Sequence, residues 1–118
     1  GSFSRDFTYI DNVIQINKLA LFTENKEALN QVYNVAYGES STLNDLYDEI
    51  KINLSKFDSE IANIVSIHGP NRTGDIPHSL ASIDKAKELL DYNPEFSLEA
   101  GLKEAMLWYW EHKSTLEA

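Results

Sequence analysis

The run Gln31-Val-Tyr-Asn-Val-Ala-Tyr37 restricts the fold more than any other part of this sequence. It carries apolar residues on both faces, which suits a strand buried between two layers, as in parallel α/β sheets. No other stretch offers an obvious parallel partner. Upstream, Val13, Ile14, Ile16, Leu19, Ala20, Leu21 and Phe22 spread around more than half of a helix circumference, so that helix also needs cover on two sides. Together, 11–22 and 31–37 predict two pieces of a larger sheet-and-helix body.

The remaining elements are read from periodicity and punctuation. Asp6 to Ile10 mixes aromatic and β-branched residues and predicts a short strand, with Asp11 as the cap of the helix that follows. After Gly38, Ser41 or Thr42 caps a helix with the apolar stripe Leu43, Leu46, Tyr47, Ile50 and Leu54. Residues 59–67 are ambiguous between strand and helix, with Ile64 to Ile67 favouring strand. Two prolines and two glycines make 69–77 an irregular loop. A helix is predicted from Ser82 to Leu90, stopped by Asp91-Tyr-Asn-Pro94 because the residue before proline resists helical dihedrals. Ser97 caps a last helix striped by Leu98, Leu102, Ala105, Met106 and Tyr109. The fold class is mixed α/β and helix-dominated, with about four helices and three or four short strands.

Charge and cysteine usage narrow the chemistry. With 10 Lys+Arg against 19 Asp+Glu, the formal charge is −9 over 118 residues, which repels phosphates and counts against a nucleic-acid binder. No apolar run is long enough to span a membrane, and no secretory leader opens the chain, so a cytoplasmic protein is expected. The absence of cysteine excludes disulfides, thiolate nucleophiles and Cys-ligated zinc. His68, His78 and His112 lack metal-ligand spacing, and no metal site is expected.

Two segments, Tyr47 to Lys51 and Tyr109 to Lys113, match Tyr-x-x-x-Lys, a pair that shares one helix face and can act as an acid/base dyad. The pattern carries little information, and the structural reading of both is favoured. The loop Asn71-Arg-Thr-Gly-Asp75 carries more. An arginine there can grip a phosphate bidentately while an aspartate accepts from sugar hydroxyls, although by composition alone a surface ion pair is the commoner reading. The chain has only two arginines, Arg5 and Arg72, each at the edge of an ordered segment.

Several segments, in order, resemble one family. Ser4-Arg-Asp-Phe-Thr-Tyr-Ile-Asp-Asn-Val13 resembles the RDFxYVDD-type segment of extended short-chain dehydrogenase/reductases, the nucleotide-sugar epimerases and dehydratases. Tyr33-Asn-Val-Ala-Tyr-Gly38 and Ser41-Thr-Leu-Asn-Asp-Leu46 are similar to that family's late strand and following helix. Arg72-Thr-Gly-Asp75, followed by the segment from Asp84 to Pro94, is similar to its RxGD loop and the helix after it. Ser97-Leu-Glu-Ala-Gly-Leu102 and the Trp-rich end match its terminal pattern. Within the family the likeness is nearest to UDP-N-acetylglucosamine 4-epimerases.

The resemblance implies that Arg5 and Arg72 contact the UDP diphosphate and that Asp75 bonds ribose hydroxyls. It also implies that Ser79, where a tyrosine would exclude N-acetylated sugars, leaves room for an acetamido group. The family's NAD loop, catalytic Ser/Thr and true Tyr-x-x-x-Lys precede the RDF segment, so no catalytic residue is assigned here. The resemblance therefore implies one C-terminal substrate-binding fragment, 1–118, whose elements at about 11–37 return to a missing Rossmann domain. It implies a parent that uses NAD and is a homodimer, and a fragment that is inactive, holds no cofactor and self-associates. The same portion of a nucleotide-sugar dehydratase or decarboxylase, or a stand-alone binding module, remains an alternative.

Overall fold

A threonine and an aspartate three positions apart begin the helix with the most completely paired end. In the computed structural model, which describes residues 1–116, Thr42 Oγ1 accepts from the Asp45 amide at 3.1 Å, and the Asp45 carboxylate accepts from the Thr42 amide at 2.8 Å. This capping box satisfies two donors that a helix start leaves unpaired. Four α-helices follow in chain order: α1 (Ile10–Phe22), α2 (Leu43–Leu54), α3 (Asp84–Leu90) and α4 (Leu98–Leu116). Two strands, β1 (Ser4–Arg5) and β2 (Ser41–Thr42), pair antiparallel. Helix α1 packs on α3 and α2 on α4, where the Phe57 and Trp110 rings stack 5.3 Å apart. The two ends of the chain's predicted helices are also as local chemistry dictates. Ser97 Oγ accepts from the Ala100 amide at the start of α4, and α3 stops at Asp91 in the left-handed conformation.

The predicted strands fare differently. Residues 31–37 form no strand, because none of the described residues supplies a neighbouring strand to bond their backbone. Val32 is 86% exposed while Ala36 is buried, and the amides of Tyr37 and Gly38 donate to the two carboxylate oxygens of Asp6 at 3.0 and 2.9 Å. Residues 6–10 are not a strand either: β1 ends at Arg5, the Asp6 side chain is committed to that turn, and α1 starts at Ile10. Tyr9, not Asp11, precedes α1, without a side-chain cap; Asp11 lies in the first turn, where its charge suits the helix dipole. Between 59 and 67 the chain makes a 3₁₀ turn at Ser59–Asn63 and then runs irregularly. Tyr47 Oη and Lys51 Nζ both donate to the Ile64 carbonyl, at 2.7 and 2.9 Å, which pins this segment to α2.

The core is small: Ile16, Ala36, Ile83, Ala86, Leu90 and Tyr92 meet between α1, α3 and the 33–36 segment. Tyr92 Oη donates to the Ala36 carbonyl at 2.7 Å, and burial, then the Asp6 carboxylate, raise its phenol above its ordinary value. Asn12, 1% exposed, connects α1 to the segment leading into α4. Its Oδ1 accepts from the amides of Glu95 and Phe96 at 3.0 and 3.1 Å, and its Nδ2 donates to the Phe96 carbonyl at 2.8 Å.

This core does not cover the chain. The radius of gyration is 17.3 Å, against about 13.5 Å for a compact domain of this length. The accessible surface is 8554 Å², roughly 2,000 Å² above the scaling for a compact monomer of this mass. Leu21 and Phe22 of α1, Val32, Val65 and Ile67 are all largely exposed.

Two outcomes are expected. Asn12→Leu leaves two amides and a carbonyl without partners at a dry site and lowers unfolding stability by about 3 kcal/mol, read from the urea midpoint. The Asp45 carboxyl sits below its ordinary value, held first by the Thr42 hydroxyl and then by the Thr42 amide. Its contribution is thus fully present above the ordinary carboxylate value and disappears as pH falls through the lowered one. The urea-midpoint gap between the unaltered chain and Asp45→Asn should accordingly be present at neutral pH and close in acid.

Candidate functional site

Residues far apart in sequence meet around β1. On one edge Ser4 pairs with Thr42 and Arg5 with Ser41. On the other, Ser4 donates its amide to the Pro77 carbonyl at 2.8 Å and accepts from the Ser79 amide at 3.1 Å, forming a parallel bridge to His78. Two residues of extended backbone thereby join the start of the chain, the start of α2 and the end of the 69–77 loop.

The loop itself is shaped by a turn. The Asp75 amide donates to the Arg72 carbonyl at 3.3 Å, and Gly74 has φ +82, the third-position angle of a type II turn that glycine adopts without a Cβ penalty. The turn directs Asp75 back toward β1, where its Oδ1 accepts from Arg5 Nη2 at 2.8 Å. Arg5 Nη1 donates to the Ser4 carbonyl at 2.7 Å. The surface ion pair expected within the loop, Arg72 with Asp75, is not formed among the described residues; Asp75 pairs with Arg5 instead. Arg72 is exposed and makes no ion pair among the described residues.

Arg72 and Asp75 border a cleft of about 450 Å³ whose other walls include Phe3, Asn44, Tyr47 and His68. His68 Nε2 lies 3.1 Å from Asn44 Oδ1. Ser79, exposed, follows the bridge to β1. All four residues singled out from the sequence, Arg5, Arg72, Asp75 and Ser79, thus belong to one corner. In an otherwise strongly acidic molecule, the Asp75 carboxylate bonded to Arg5 and the exposed Arg72 border one open cleft.

Other candidate constellations take structural roles. Tyr47 and Lys51 share a face as predicted, but both hold the Ile64 carbonyl. Lys113 lies over the Trp110 ring at 3.7 Å instead of serving Tyr109. Among the described residues no three His, Asp or Glu side chains gather as a metal site, and no helix is long and apolar enough to cross a membrane. β2 runs straight into α2 at Thr42, with no glycine at that junction. Sequence reasoning missed Ser4, buried at the centre of the bridge, and His78, whose Nδ1 lies 2.9 Å from Ser4 Oγ. Their adjacency to Arg5 and Ser79 was the only signal, because the contact itself spans the chain.

The chain is similar to known proteins over nearly its whole length. No protein-family model matches the chain. A putative UDP-glucose 4-epimerase of Methanocaldococcus jannaschii is 30% identical over 115 residues, 98% of this chain and 34% of that protein. The structure of a UDP-N-acetylglucosamine 4-epimerase from Methanobrevibacter ruminantium, in complex with UDP-N-acetylmuramic acid, superimposes with a TM-score of 0.78 at 31% identity, over 95% of this chain and 33% of that one. A UDP-glucuronic acid 4-epimerase from Bacillus cereus, in complex with UDP-glucuronic acid and NAD, gives a TM-score of 0.70 at 29% identity, over 94% and 33%. The chain thus spans about a third of the length of the proteins it matches.

Proposed function

We propose that this chain, which resembles NAD-dependent UDP-sugar 4-epimerases over nearly its whole length and about a third of theirs, forms the nucleotide-sugar-binding corner of an extended short-chain dehydrogenase/reductase of that kind, with a UDP-N-acetylhexosamine as substrate. The observation that carries the reading is that Asp75, ion-paired with Arg5, lines one open cleft together with Arg72, so that the chain's two arginines flank it. In an acidic protein, such a corner is where a diphosphate finds charge-assisted donors.

The roles follow from the chemistry of each group. Arg5 and Arg72 hold the diphosphate, and Asp75 accepts from the ribose hydroxyls. Arg5 keeps its bond to Asp75 and offers its remaining N–H donors to phosphate, so the corner is preformed and loses little by reorganising. Ser79 leaves volume for an acetamido group that a phenol at this position would fill. In the parent enzyme, bound NAD supplies the hydride acceptor and donor for inversion at the sugar C4; nothing in this chain is assigned to hold it. By itself the chain is inactive.

The uncovered apolar surface supports the second half of the reading. An excess on the order of 2,000 Å² is the size of an obligate interface, and the exposed faces of α1 and of 31–37 are the segments whose patterning asks for cover. In the parent these faces rest on a Rossmann domain. Produced alone, the chain buries them against its own copies, and sedimentation velocity should show concentration-dependent association; a clean monomer at every concentration overturns this part.

Binding is tested by calorimetry on the full-length protein. Arg72→Ala should weaken UDP at least ten-fold, the loss expected for charge-assisted bonds to phosphate, and unchanged affinity refutes the diphosphate role. Ser79→Tyr should reduce turnover of UDP-N-acetylglucosamine far more than that of UDP-glucose. Equal effects on both would sink the acetamido argument.

A further inference from the structure

Ser4 is a buried hydroxyl, 8% exposed, one residue before the arginine assigned to phosphate. Its Oγ lies 2.9 Å from Nδ1 of His78, a residue 74 positions along the chain. The same pair of segments is joined by the two backbone bonds from Ser4, to Pro77 and from Ser79. One further detail links this clamp to the site. The Ser4 carbonyl accepts both from Arg5 Nη1, at 2.7 Å, and from the Ser79 amide, at 3.1 Å. The position of the Arg5 guanidinium is therefore coupled to the register of the loop that carries Arg72, Asp75 and Ser79.

Few bonds hold that register besides the two backbone bonds of Ser4 and the Arg5–Asp75 pair. β1 is two residues long, the contact to the loop is an isolated bridge, and the loop residues around it are exposed. Short extended pairs slip unless side chains pin them. Two side-chain links cross between β1 and the loop: Arg5 reaches Asp75 and the Pro77 carbonyl through the guanidinium that also serves the ligand, and the imidazole of His78 reaches Ser4 Oγ, which no ligand contact disturbs.

We propose that His78 is a positioning residue for nucleotide diphosphate recognition: through Ser4 it locks β1 and the 72–79 loop in the register that directs Arg5 and Arg72 to one ligand. The inference rests on the reading above, in which the two arginines bind the diphosphate. It assigns no contact between His78 and the ligand.

The test is calorimetry of UDP with the full-length protein, alongside ligand-observed NMR of uridine. Loss of one hydrogen bond of this kind predicts that His78→Ala weakens UDP about five-fold, with uridine binding unchanged, because only the phosphate contacts are misaligned. His78→Asn, whose amide can occupy the Nδ1 position, should restore UDP affinity to within about two-fold. Ser4→Ala should match His78→Ala, and the double variant should be no worse than either, since both remove the same bond. Unchanged UDP affinity in His78→Ala overturns the inference alone. So does a parallel loss of UDP and uridine, or failure of His78→Asn to restore binding when its thermal midpoint is normal. If the unaltered protein binds no UDP, the functional reading falls and the inference falls with it.

Discussion

The buried carboxamide of Asn12 is the central link between the two helix pairs, flanked by the Gln15–Asn93 bonds and the packed rings of Tyr9 and Phe96. Its three hydrogen bonds join α1 to the segment just before α4, while α1 packs on α3 and α4 on α2. A carboxamide suits this task because it presents an acceptor and a donor on one rigid plane, matching two amides and a carbonyl of the same backbone stretch. An apolar residue there would leave all three without partners, and a charged one would oppose the carbonyl. The small apolar core around Tyr92 does not carry the architecture unaided.

A chain organised by a few directional bonds over a small core is one that keeps much of its apolar surface outside. The extended shape, the exposed faces of α1 and 31–37, and the match to only a third of the length of its relatives describe the same condition from three sides. The β1 corner does not depend on that surface. Its bonds are between backbone and polar groups, so Arg5 and Asp75 are in contact within this chain alone.

What was legible and what was not divides along sequence distance. The four helices were readable because their signals are local: the stripe from Leu43 to Leu54, the Thr42/Asp45 box, Ser97 before α4, Pro94 after α3. Strands were not, since a strand exists only when another strand bonds it. Residues 31–37 have the right side chains and no partner, so Asp6 takes their last amides instead. At the site, Arg5 and Arg72 stood out by scarcity and Asp75 and Ser79 by resemblance. That Asp75 pairs with Arg5, and that His78 reaches Ser4, had no local signature.

By itself, then, the sequence determined the helices and the caps of α2 and α4, the acidic background, the scarcity of arginine and the presence of apolar faces too broad for so short a chain. Those follow from residue type and spacing of a few positions. Only the tertiary structure decided which carboxylate neutralises which arginine, which segments flank β1, and which of the apolar faces stay uncovered. Each of those depends on contacts closed over tens of residues, where the choice of partner is set by geometry and not by composition.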